Sequence, residues 1–113
     1  MKIAVVGSRD FNNYELMKTE LDKIRQEITK VVSGGARGAD TLAERYANEN
    51  NIPLEVFEAD WKNLGKRAGF TRNNTIVVNC DMVVAFWDGK SRGTKHTIDL
   101  ANGYHKKLMV ISF

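Results

Sequence analysis

Five short apolar runs, Ile3–Val6, Lys30–Val32, Leu54–Phe57, Met82–Phe86 and Leu108–Ser112, punctuate the chain. Four of them set β-branched or large apolar residues side by side instead of alternating them with polar ones. That pattern belongs to strands covered on both faces, as in a parallel sheet. Helix-length segments separate the runs. Met17, Leu21, Ile24 and Ile28 recur at spacings that predict an amphipathic helix over Tyr14–Glu27. Ala39, Leu42, Ala43, Tyr46 and Ala47 form a second apolar stripe. Third and fourth helices are predicted over Arg72–Asn79 and Thr94–Tyr104. The last closes on His105, Lys106 and Lys107, cations suited to a helix C-terminus.

The strict alternation of strand and helix predicts one doubly wound, Rossmann-like α/β domain over residues 1–113, with a five-stranded, mainly parallel sheet. Right-handed crossovers gather the C-terminal ends of the strands on one edge. Ligands of such sheets bind there, near the point where strand order reverses. The residues that need explaining fall in the loops at that edge.

Composition narrows the class. At 113 residues and 42% hydrophobic content, the chain has enough apolar material for one real core. The first apolar run is too short for a signal peptide or a membrane span, and the single cysteine, Cys80, excludes a disulfide framework and a cysteine-based zinc site. The expectation is a soluble, cytoplasmic domain in a reducing compartment, with no membrane partner. Cys80 reads as a small buried hydrophobe. With only His96 and His105 present, a multi-histidine metal site is impossible. A net charge of +3 favours anionic partners without choosing between nucleotide and nucleic acid.

Four loops follow strands. The first, "GSRDF", offers Gly7 for a sharp turn, the Ser8 hydroxyl and the Arg9 guanidinium. The second, "SGGARGAD", places Ser33, Gly35 and Gly38 at the spacing of a dinucleotide-binding glycine loop, with serine replacing the first glycine. Gly34, Gly35 and Gly38 are expected to let a ligand approach the backbone, and the next helix's free amides to face an anion. Arg37 adds charge, and Asp40 is either a helix cap or a ligand contact.

The third loop, Glu58–Asn74, is longer than a connection requires, and long loops in compact domains are often functional. Trp61 is placed either to stack on a base or to plug the sheet edge, and Asp60 to meet ribose or base. Arg72 and Asn73 stand at a predicted helix start, as phosphate or ribose contacts. The fourth loop carries Asp88, Ser91, Arg92, Gly93 and Thr94 into a second anion-binding helix start, with His96 and Thr97 just inside it. Two such loops on one edge predict a shared ligand containing phosphate. No Walker A pattern and no G-x-S-x-G nucleophile elbow is present.

Taken together and in order, "VVGSRDF", "VSGGARGAD", "ADW…G…AGFTRN" and "AFWDGKSRGTKHTIDLA" resemble the SLOG superfamily over essentially the whole chain, within its small single-domain branch related to YspA and YpsA. The resemblance implies a Rossmann-like sheet and a pocket for a nucleotide or nucleotide-derived ligand. Its walls would be Gly7, Ser8 and Arg9, then Gly34, Gly35 and Gly38, then Ser91, Gly93 and Thr94. No cofactor is required beyond that ligand. Relatives of the superfamily often associate, so a homo-oligomer is within what the resemblance implies.

Two further branches imply different activities. The LOG phosphoribohydrolases carry P-G-G-x-G-T-x-x-E at the loop matching Gly89–Thr97. Here Gly93 and Thr94 match, but Thr97 stands where the catalytic glutamate belongs, and a threonine cannot move a proton as a carboxylate does. Glu58, Asp60 or Asp88 would have to substitute if the chain hydrolyses a nucleotide N-glycosidic bond. No catalytic residue is assigned. The DprA branch, which binds single-stranded DNA, is similar at "GSR", at "SGGARG" and at Phe70–Asn73. For that partner Arg9, Arg37, Arg67, Arg72 and Arg92, with Trp61 and Trp87, would supply a basic track with stacking aromatics. A third reading is NAD or ADP-ribose binding without dehydrogenase chemistry, because Glu58 follows Gly38 at the distance of a ribose-binding acid.

Overall fold

The computed structural model describes residues 1–113 as a five-stranded sheet between two pairs of helices. Strands β1 (Lys2–Gly7), β2 (Lys30–Ser33), β3 (Leu54–Val56), β4 (Met82–Trp87) and β5 (Lys107–Ser112) lie in the order β3-β2-β1-β4-β5. Every pair is parallel, so the sheet is entirely and not merely mainly parallel. Ile3 stands opposite Val31 on one side and Met82 on the other.

Helices α1 (Tyr14–Asp22) and α2 (Ala39–Glu49) cover one face, and α4 (Ala68–Val78) and α5 (Arg92–Gly103) the other; α3 (Trp61–Leu64) is a single turn. The consecutive apolar residues of β1 follow from this layering. Ile3 and Val5 join Met17, Leu21, Ala43 and Tyr46 in one core. Ala4 and Val6 join Ile76, Val77, Ile98 and Ala101 in the other. Cys80 is buried in this second core, as a small hydrophobe.

Three helix boundaries differ from the sequence reading, each for a local reason. Helix α1 stops at Asp22, whose carboxylate accepts the Tyr46 hydroxyl at 2.7 Å. The chain then tightens into a 3-10 turn at Arg25–Glu27. The long third loop is largely helical: Asp60 caps α3 by accepting from the Asn63 amide, and a 3-10 turn at Gly65–Arg67 leads directly into α4. Helix α4 therefore begins at Ala68, which is buried, and Arg72 and Asn73 lie a turn inside it rather than at its start. Helix α5 begins two residues before Thr94, with Ser91 as its cap.

Strand order reverses between β1 and β4, the two central strands. The β1–α1 and β4–α5 loops leave this switch point side by side, the arrangement that opens a crevice at the sheet edge.

Candidate functional site

The crevice exists, with a volume of about 480 Å³. Gly7, Ser8, Arg9 and Asp10 form one wall; Asp88, Lys90, Ser91, Gly93, Thr94 and Thr97 form the other; Asp40, Arg72 and Asn73 close its end. A second cleft of about 390 Å³ adjoins it and shares Arg9, Ala36 and Arg72. Its remaining lining includes Gly34, Gly35, Arg37, Glu58 and Trp61.

The start of helix α5 is held by a small set of bonds. Asp88 accepts from the amides of Lys90 and Ser91, both at 2.8 Å, and these bonds hold its carboxyl below the usual carboxylate range. Ser91 Oγ accepts from the Thr94 amide, while the Arg92 and Gly93 amides take no partner within the chain. Two free donors at a helix start favour an anion. Across the crevice, Ser8 is 2% exposed, and its hydroxyl is a buried side-chain group without a hydrogen-bond partner. A polar neighbour is Asp88, close enough for the hydroxyl to help keep that carboxyl charged but outside a full hydrogen bond in this arrangement. A buried polar group left unpaired is costly, and a polar ligand atom would relieve the cost.

The glycine loop is built differently from its sequence pattern. The groups that crowd its backbone belong to the protein. A Cβ at Gly34 would lie 2.7 Å from Arg72 Nη1 and 2.9 Å from Asp40 Oδ2. At Gly38, where φ is +80°, it would lie 2.6 Å from the Ser8 carbonyl oxygen. Ser33, fully buried, accepts from the Gly35 amide, and Asp40 accepts from the Ala36 amide at 3.1 Å. These two donors are spoken for, and a carboxylate of the chain sits where the loop was expected to hold phosphate.

Asp40 is not the helix cap. That position belongs to Gly38, without a side-chain bond, and Asp40 lies in the first turn with its carboxyl folded back onto the loop. Burial pushes its pKa up to about 6, against the pull of the Ala36 amide and the Arg72 charge. Arg72 is itself tied in place, donating through Nη1 to the Gly34 carbonyl and through Nε to Asn73 Oδ1. Asn73 Nδ2 reaches the Gly93 carbonyl at 3.3 Å and lies 3.2 Å from His96 Nδ1. One chain of bonds thus joins the glycine loop to the start of α5. His96 stands behind Asn73, its ring edge against Phe70, and does not line either cleft.

Thr97 does not cap a helix either. It sits in the second turn of α5, where its hydroxyl donates to the Gly93 carbonyl. Of the other expected site residues, Ser33 and Gly38 support the loop from beneath, Asp60 is engaged with Asn63, and Arg92 is exposed; none of the four lines the two clefts. Trp61 does not plug the sheet edge: it is 52% exposed on the rim of the second cleft. Asp10 and Lys90 line the crevice without having been singled out. Their only sequence signal is adjacency to the "GSR" and "SRGT" loops.

Residues 1–64 match the YspA, cpYpsA-related SLOG family. The Gene 61 protein of Mycobacterium phage D29 is 35% identical in an alignment that covers 84% of this chain and 83% of that protein. The fold is also that of DNA processing protein A (DprA) from Streptococcus pneumoniae, with a TM-score of 0.81 and 21% identity over 99% of this chain and 50% of that one. DprA from Helicobacter pylori, solved in a study of its single-stranded DNA binding mode, superimposes with a TM-score of 0.70 and 22% identity over 97% of this chain. The chain spans about half of the first structure and 64% of the second.

Proposed function

This chain belongs to the YspA, cpYpsA-related SLOG family, and from that premise we propose that it binds a phosphate-bearing nucleotide or nucleotide-derived ligand in the crevice between the β1–α1 and β4–α5 loops. The observation that carries the reading is the Ser8 hydroxyl, buried and unpartnered, facing a helix start whose Arg92 and Gly93 amides are free. Arg9, Arg72 and Lys90 supply positive charge around the same space. A phosphate at the start of α5 meets the free Gly93 amide and the surrounding cations, and rotation of the Ser8 side chain brings its hydroxyl to the same anion.

The test is thermal unfolding against AMP, GMP, ADP-ribose, NAD and cyclic dinucleotides, with pyrophosphate and a short DNA oligomer as controls. A ligand at a hundred times its Kd adds about 2.7 kcal/mol to stability, a shift on the order of ten degrees for a domain of this size. A shift with one nucleotide, well above that with pyrophosphate, supports the pocket. No shift with any nucleotide sinks it.

Single-stranded DNA binding is the second reading. The relative from Helicobacter pylori is described as binding single-stranded DNA. Here Trp61 stands exposed beside Arg9, Arg37 and Arg72 at the second cleft, the pairing of an aromatic with backbone-tracking cations that such binding uses.

Hydrolysis of an N-glycosidic bond has less support. Thr97 offers the crevice a hydroxyl already bonded to Gly93, Asp88 is held charged in its turn, and Asp60 is occupied as a cap.

A further inference from the structure

Above about pH 6 the Asp40 carboxyl is charged, and a charged carboxylate at the end of a phosphate-binding crevice repels phosphate. Asp40 is 6% exposed and lines the crevice together with Ser8. The Ala36 amide donates to Oδ2 at 3.1 Å, and the more distant Gly34 amide points the same way, which leaves acceptor sites of the carboxyl unfilled. Arg72 supplies charge nearby, but two of its nitrogens are committed to Gly34 and Asn73. The carboxyl, itself largely buried, therefore has unused acceptor capacity at the end of the crevice. Whatever part of a ligand lies there must donate, and the donors next to the phosphate of a nucleotide are the hydroxyls of its ribose.

We propose, building on the nucleotide reading above, that Asp40 accepts from a ribose hydroxyl of the ligand, so that the crevice selects ribonucleotides over deoxyribonucleotides. Two independent features support the assignment: the Asp40 carboxyl with its spare acceptor capacity, and the orphaned Ser8 hydroxyl that marks the same crevice as built for a polar ligand. The consequence separates the two functional readings, because a DNA strand lacks the 2′-hydroxyl and, within the strand, a free 3′-hydroxyl.

A second consequence is a pH signature. Burial holds the Asp40 carboxyl up near 6, and a hydroxyl donor favours its charged form. Binding then releases a proton, and affinity rises as pH climbs from 5 to 7. The charges that act on this carboxyl are Arg72 on α4 and Glu44 on its own helix, and Arg9, Asp10, Asp88 and Lys90 line the rest of the crevice. They are common to wild type and variant, so the difference between the two isolates Asp40.

The experiment compares AMP, GMP and ADP-ribose with their 2′-deoxy and 3′-deoxy forms by calorimetry, in wild type and in Asp40→Asn. In wild type, loss of the critical hydroxyl is expected to weaken binding roughly 10- to 100-fold. In Asp40→Asn the gap is expected to shrink to within a few-fold, and the rise in affinity from pH 5 to 7 to disappear for ADP-ribose, whose phosphates do not titrate in that range; for AMP and GMP only the part of the rise beyond their own phosphate ionisation is lost. Equal binding of ribo and both deoxy forms by the wild type overturns this inference and leaves the nucleotide reading standing. Binding of none of these nucleotides, nor of NAD or cyclic dinucleotides, overturns both. Should Asp40→Asn fail to fold, the wild type is compared across pH with ADP-ribose and its deoxy form: a rise from pH 5 to 7 that is lost with the hydroxyl is expected, and identical pH curves overturn the inference.

Discussion

Arg72 Nη1 donates to the carbonyl oxygen of Gly34 at 2.6 Å, tying the middle of α4 to a glycine loop 38 residues upstream. Nε of the same guanidinium holds Asn73, which in turn reaches Gly93 at the start of α5. The two glycine-containing loops are therefore joined by side chains of a third element, and the crevice between them depends on that connection.

Arg72→Ala removes a charge-assisted bond and leaves a buried loop carbonyl unpaired. The expected cost is about 1.5–3 kcal/mol, seen as a drop of several degrees in Tm. Arg72→Lys should not restore the loss, since a lysine cannot serve Gly34 and Asn73 at once. Full recovery with lysine would mean that charge alone matters and that the two-nitrogen clasp is irrelevant.

Asp40 makes a pH-dependent prediction about the free protein. Its folded pKa of about 6 lies above the ordinary 3.8. Between these values the fold retains a proton that the unfolded chain gives up. The stability this confers is complete below about pH 4 and is lost as pH rises through 6. Asp40→Asn carries no such proton. Its stability relative to wild type should improve from pH 4 to pH 7, by roughly 2–3 kcal/mol. Urea unfolding of both proteins across that range measures the difference, and a difference that stays constant with pH would show that Asp40 is not raised.

Gly38 and Gly103 offer a matched pair. A Cβ at Gly38 meets the backbone of Ser8 and Arg9 at positive φ, and neither carbonyl can move without disturbing β1. Gly38→Ala should cost at least about 2 kcal/mol. Gly103, at the end of α5, has nothing within 4 Å of its own Cβ position, so Gly103→Ala should be neutral or stabilise by about 0.5 kcal/mol. Denaturation midpoints of the two variants test the contrast, and a Gly38→Ala protein as stable as wild type would contradict the close approach.

Trp61 separates a strand-binding surface from a compact pocket. If DNA stacks on it, Trp61→Ala should weaken binding of a short oligomer by about 1–3 kcal/mol, and affinity should fall steeply with salt. A mononucleotide seated against Ser8 and Ser91 should be nearly indifferent to the change, because Trp61 lines the second cleft and not the first. Fluorescence titrations at two salt concentrations distinguish the cases. Loss of mononucleotide binding in Trp61→Ala would show that the ligand crosses both clefts.

Much of the architecture was readable in the sequence because it rests on short-range patterns. Runs such as Ile3–Val6 and Met82–Phe86 are apolar throughout because both faces of their strands are covered, and that determines a parallel sheet wrapped by helices. Strand–helix alternation then places the loops at Gly7–Arg9 and Asp88–Thr94 on one edge, whatever the details of packing. Tertiary structure decided what those loops do with their polar atoms. "SGGARGAD" has the spacing of a phosphate loop, yet Arg72, Asp40 and the backbone of Ser8 occupy the space its glycines leave open. Whether a glycine makes room for a ligand or for the protein's own side chain depends on partners dozens of residues away, which spacing does not encode. The same holds for Asp40: its burial, its unfilled acceptor sites and its raised pKa come from α4 and the neighbouring loops closing over it, and they turn an apparent helix cap into the group most able to tell one ligand from another.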